Sequence, residues 1–231
     1  MSSIKWLPLE SNPEVMNKFL ENLGVPFKWG ISDIISLDEE FLHMIPSPVL
    51  AVLLLFPITE KYQEHCDKQE ELLKTEKQDT DPDVFFMHQT IRNACGTVAL
   101  IHAIANNMDS LCLDSESVVK KFIEESRSLS PREKAEILES SQEISAAHEA
   151  MAQQGQTEAP GVDDEINLHF IALVNVNSKL YDLDGRKSVP ICCGPTSKES
   201  FMKDAAAVCK EYMERDPNNL NFTALSFGAL F

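Results

Sequence analysis

The segment Cys95-Gly96-Thr97-Val98-Ala99-Leu100-Ile101-His102-Ala103-Ile104-Ala105-Asn106 is apolar nearly all the way round. It is far shorter than the ~20 residues a helix needs to cross a bilayer, so the rest of the chain must cover it on every side. A globular body built around a central helix follows. Composition agrees: of 231 residues, 43% are hydrophobic, 25% are charged and only 8 are glycine, which sets aside fibrous, collagen-like and wholly disordered chains. The longest apolar run, Val49 to Phe56, stops at Pro57 and reads as a buried strand.

Other elements can be placed around that helix. Asn12-Pro13-Glu14 caps a first helix whose apolar face is Val15, Met16, Phe19, Leu20 and Leu23, with Gly24 ending it. Asp38 is expected to cap a short helix reaching His43, and 59–83 reads as a solvated excursion, helical in part. Val118, Val119, Phe122 and Ile123 mark another amphipathic helix, and Ser130-Pro131-Arg132-Glu133 is a capping box opening the next. From Ser140 to Asn167 bulky apolar residues nearly vanish, the pattern of a linker or functional loop. Leu168–Val176 and Lys179–Asp184 flank Asn177-Ser178 as a hairpin; a strand near 189–191, a helix from Ser197 to Met213 and a strand from Leu220 to Phe227 follow. The expectation is one α+β domain over 1–231, with a mostly antiparallel central sheet flanked by helices.

Charge and cysteine usage narrow the partners and the compartment. Acidic residues outnumber basic ones by 37 to 20, a net charge of −17 that repels nucleic-acid phosphates and anionic lipid, so neither nucleic acid nor membrane is expected as a partner. The opening residues show no basic segment followed by an apolar run, and six cysteines form no C-x-x-C pair. Free thiols in the cytoplasm, and in the nucleus as well, are the expectation, with no metal site.

One thiol has a distinctive address. Cys95 opens the buried helix, where unpaired N–H groups and the helix dipole favour thiolate, although a buried cysteine is more often simply a small hydrophobe. A nucleophile also needs an oriented acid/base. His102 lies two turns along the same helix, about 10 Å away, too far to serve. His169 opens an apolar strand, where a polar ring needs a buried partner. If Asn177-Ser178 is a two-residue turn, Ile171 faces Asp184 and Leu173 faces Asp182, so Asp184 shares the His169 face at a diagonal of roughly 7 Å. Asp182 is the weaker candidate, and a satisfied core histidine beside an unrelated aspartate is the alternative on this pattern alone. Gln89, six residues before Cys95, has an amide that could donate to an oxyanion. In that chain order the four residues follow the logic of papain-like cysteine hydrolases.

Gln89 to Thr97, Leu168 to Val174 and Leu180 to Arg186 closely resemble the ubiquitin carboxyl-terminal hydrolase family, in particular its short single-domain isozymes. The likeness continues through Trp6 to Glu10, Ala51 to Glu60 and Gly155 to Pro160. The resemblance implies a papain-like fold with a knotted backbone, Cys95 as nucleophile, His169 as base and acid, Asp184 as its orienting carboxylate and Gln89 as oxyanion donor. It implies that 140–167 is a crossover loop over the active site, that no cofactor is used, and that a monomer acts on ubiquitin, with neddylation-type modifiers as further partners. The implied activity is thiol-dependent deubiquitination, removing small adducts or short peptides from the C-terminal glycine of ubiquitin in its processing and recycling. Ubiquitin contacts are implied at Pro8, Leu9, Glu10, Asn219 and Ala224, and an acidic face for a basic tail at Glu10, Asp33 and Glu158. A ubiquitin-holding protein with dispensable chemistry, and an acyltransferase using an amine in place of water, are the rival readings.

Overall fold

The structure, a computed structural model, describes residues 4–75, 80–155, 164 and 166–231. Six strands form one sheet: β1 (Trp29–Asp33), β2 (Val49–Pro57), β3 (Leu168–Val176), β4 (Lys179–Leu183), β5 (Ile191–Pro195) and β6 (Thr223–Ala229). Their spatial order is β1-β6-β2-β3-β4-β5, and every neighbouring pair is antiparallel. The apolar run predicted from sequence is β2, held between β3 and β6. Because it is covered on both faces, alternate residues feed different cores: Ala51 and Leu53 enter one, Val52, Leu54 and Phe56 the other.

The first core is filled by α3 (Cys95–Ala105), whose residues Gly96 to Ala105 are all buried. Around it stand α1 (Pro13–Asn22), α4 (Met108–Leu111), α5 (Val118–Ser126), α6 (Pro131–Ser140) and α7 (Gln142–Ala152). On the other face lie α8 (Phe201–Arg215) and Tyr62, which comes from α2 (Glu60–Thr75). The start signals read from sequence act as expected: Asn12 accepts from the Glu14 N–H at 2.9 Å, Gly24 takes a φ of +84° after α1, and Ser130 and Glu133 complete their capping box.

Four expectations change. The stretch 140–167 does not begin as a loop, because Gln142–Ala152 is helical. Its buried face is Ile144, His148, Met151 and Ala152, spaced correctly for a helix but low in bulk, so the period is faint in the sequence. Glycine at Gly30 and a length of five residues hid β1 at the sheet edge. The strand expected at 189–191 starts instead at Ile191, after Pro190, which has no N–H to give a ladder. Asp38 precedes a 3-10 turn over Glu39–Met44 and makes no side-chain cap.

Candidate active site

The N-terminus of α3 rises at the end of the sheet where β3 begins. Asn93 turns the chain with a φ of 64°, and its Nδ2 donates to Trp6 O at 3.0 Å. Ala94 then caps α3 without a side-chain hydrogen bond, so the first-turn N–H groups are not taken up by a capping side chain. Cys95 sits there, partly exposed. Burial alone would push its thiol up, but the His169 hydrogen bond and charge, with the backbone N–H groups of Phe170 and Gly96, outweigh that and hold it below the ordinary cysteine value.

His169 and Asp184 form a buried pair, with Nε2 to Oδ1 at 2.6 Å and side chains 3% and 0% exposed. The hairpin register places them: Ala172 faces Leu183 and Leu173 faces Asp182, the two-residue-turn pairing deduced from sequence. A carboxylate only accepts, so Nε2 carries the proton and the other ring nitrogen is left for the Cys95 thiol. Burial pushes the His169 ring down; the Asp184 charge and hydrogen bond, then Cys95, more than reverse this and raise it to about 9. For Asp184, burial pushes the carboxyl up, and His169 and Lys187 overcome it, holding the group well below the usual carboxylate range. The dyad therefore favours thiolate beside imidazolium, a nucleophile with a proton ready for a leaving group. Asp182, the weaker alternative, is engaged elsewhere, accepting from Lys187 Nζ and the Tyr212 hydroxyl at 2.7 Å each.

Gln89 reaches the same place from the strand-like segment before α3. Its N–H donates to Gly185 O at 2.7 Å and its Nε2 to Ile91 O at 3.2 Å, which leaves the amide a second N–H. Gln89, Cys95 and His169 line one cavity of about 340 Å³. Pro8, Leu9 and Glu10 line it too, as do Arg92 and Arg186, which the sequence did not single out. Asp33, exposed at the end of β1, and Asn219, half-buried ahead of β6, do not line it. Ala224, near the start of β6, is buried in the core that α8 packs against and does not line the cavity either. Glu158 lies outside the described residues. His102 is core, as expected, accepting from the Met87 N–H at 3.0 Å.

The family model for ubiquitin carboxyl-terminal hydrolase, family 1, matches residues 6–214. The chain belongs to that family. Among relatives of this ubiquitin hydrolase, a Drosophila melanogaster ubiquitin carboxyl-terminal hydrolase is 49% identical over 226 residues, covering 98% of each chain. A ubiquitin carboxyl-terminal hydrolase isozyme L1 of Rattus norvegicus is 46% identical over 219 residues, covering 95% of this chain and 96% of that one. The fold is similar to the Trichinella spiralis UCH37 catalytic domain bound to ubiquitin vinyl methyl ester, with a TM-score of 0.75 at 22% identity over 99% of this chain and 97% of that one. The α+β, helix-flanked antiparallel sheet expected from sequence is thus the fold of the ubiquitin hydrolases.

Proposed function

We infer that this protein is a thiol hydrolase acting at the C-terminal glycine of ubiquitin. The observation that carries the reading is Cys95 and His169 lining one cavity, with His169 held from behind by the buried Asp184, in a chain of this family. The Cys95 thiolate attacks the glycine carbonyl, and the oxyanion accepts from the Gln89 amide and the Cys95 N–H. His169 gives its proton to the departing amine or alcohol, leaving a thioester. Water then attacks, His169 takes up its proton, and ubiquitin carboxylate and the Cys95 thiol are released.

Small adducts and short peptides are the leaving groups that suit this cavity. Support comes from the two described ends of the segment joining α7 to β3. Gly155 lies against Glu10, and Arg92 Nη2 donates to Asp164 O at 3.1 Å, so both ends flank the cavity. Rejection of bulky folded leaving groups by exclusion is the specificity this reading expects.

Treating the protein with ubiquitin that carries an electrophilic C-terminus tests the reading. One adduct of ubiquitin mass on Cys95 is expected, with none on Cys95→Ala and no ester hydrolysis by that variant. Hydrolysis retained by Cys95→Ala overturns it. The same probe built on a neddylation-type modifier reads whether that partner is also accepted.

A further inference from the structure

Asp184 has two carboxylate oxygens, and the dyad uses one. Oδ1 accepts from His169 Nε2 at 2.6 Å and from the Arg186 N–H at 2.9 Å. Oδ2 accepts from the Tyr62 hydroxyl at 2.6 Å. Tyr62 stands 122 residues away in the chain, and is the one fully buried residue of α2. Phe56 and Tyr212 pack against its ring at centroid distances of 4.8 and 6.3 Å. Burial first, then the Asp184 charge, pushes the phenol far above its ordinary value, so it stays a donor at any physiological pH.

An aspartate carboxylate rotates on a broad, two-fold torsion that the backbone controls poorly. Donors on a single oxygen leave that torsion soft, whereas donors on both oxygens, from opposite sides, clamp it. We propose that Tyr62 is a positioning residue for the active site: its hydroxyl holds Asp184 so that Oδ1 stays in line with His169 Nε2, and thereby sustains the thiolate-imidazolium pair. This rests on the reading that Cys95 and His169 perform the chemistry. The other groups near Asp184 do not duplicate the clamp. Lys187 Nζ goes to Asp182 Oδ2 and to the Tyr212 hydroxyl. Cys66, one turn along α2, lies beside Tyr62 rather than Asp184, and Arg215 lies over the Tyr212 ring. The clamp also gives α2 a role, since a helix that is otherwise largely solvated reaches the catalytic acid arm through one side chain.

Tyr62→Phe keeps the ring and removes the hydroxyl. On enzyme counted by active-site titration, so that any unfolded fraction drops out, kcat on a ubiquitin C-terminal ester should fall about tenfold, with KM within about twofold, as expected for a lost hydrogen bond to a charged group. Both limbs of the pH profile should move inward, because a loosened Asp184 lets the Cys95 value rise and the His169 value fall. Iodoacetamide alkylation of Cys95 against pH, located by peptide mass, reads the same inward shift without ubiquitin, so it stays informative even if the ester is not a substrate. In an Asp184→Ala background, Tyr62→Phe should change the rate by less than about twofold. Unmoved limbs, or a full tenfold loss persisting without Asp184, overturns the proposal. An ester that the unsubstituted protein fails to hydrolyse counts instead against the proposed function.

Discussion

Gly185 shows how tightly single residues are fitted around the site. Its carbonyl accepts from the Gln89 N–H, and a Cβ placed on it would lie 3.0 Å from Val98 Cγ1, 3.1 Å from Gln89 Cβ and 3.1 Å from Gln89 N. The backbone of the oxyanion-donor segment would have to give way by a few tenths of an ångström. Gly185→Ala should therefore lower kcat by about tenfold while KM changes little, since misplacement well under 1 Å already costs rate. Steady-state kinetics with a melting curve check it; unchanged kcat means that Gln89 does not depend on this contact. Cys95 and Asp184 were legible in sequence because local rules place them: a helix start for one, hairpin counting for the other. Tyr62 was not, since nothing local ties it to a carboxylate 122 residues on.

The β3–β4 hairpin is the element that aligns His169 with Asp184, and its turn carries removable strain. Asn177 and Ser178 both adopt left-handed backbone, at φ 49° and 64°, the conformation of a tight two-residue hairpin turn whose second position favours glycine. Asn177 is useful where it stands, donating to Asp81 and Asp83, whereas Ser178 contributes only its carbonyl, to the Thr196 N–H. Ser178→Gly should stabilise the protein by about 1 kcal/mol, raising Tm by roughly 2–4 °C at unchanged kcat. A differential scan shows it, and a lower Tm refutes the strain argument. This hairpin was readable because alternation and turn residues agreed. Helix α7 was not, because its buried face has only Ile144 and Met151 as bulky apolar residues, and His148 fits there only through tertiary partners, accepting from the Thr97 hydroxyl at 2.8 Å and donating to Leu7 O at 2.6 Å.

At the scale of the whole molecule, buried histidines set the response to acid. Burial lowers His102 and His148 to about 4, below the ordinary 6.5, so between those values the unfolded chain binds protons that the folded one refuses. Their contribution is complete above pH 6.5 and is lost as the pH falls toward 4. His169, raised to about 9, has the opposite sign: its contribution is full below pH 6.5 and declines as the pH rises through 9. Unfolding free energy from denaturant titrations should fall below pH 6.5 by about 2–3 kcal/mol per pH unit, one proton for each of the two rings. His148→Gln should roughly halve that slope, and an unchanged slope would remove His148 from the account. The acid excess of −17 belongs to this scale too, yet among the described residues the cavity is lined by Arg92 and Arg186 beside one carboxylate, Glu10, so net charge does not describe the site. What the sequence by itself determined was whatever is encoded locally: the all-round apolar helix, the caps, the alternating strands, the turn that pairs His169 with Asp184, and the family. Only the tertiary structure decided that Tyr62 closes on Asp184, that two arginines line the cavity, that α7 is a helix and that Ala224 is core. Those depend on which surfaces meet across the sheet, and periodicity along a chain carries no information about the distance between residues far apart in it.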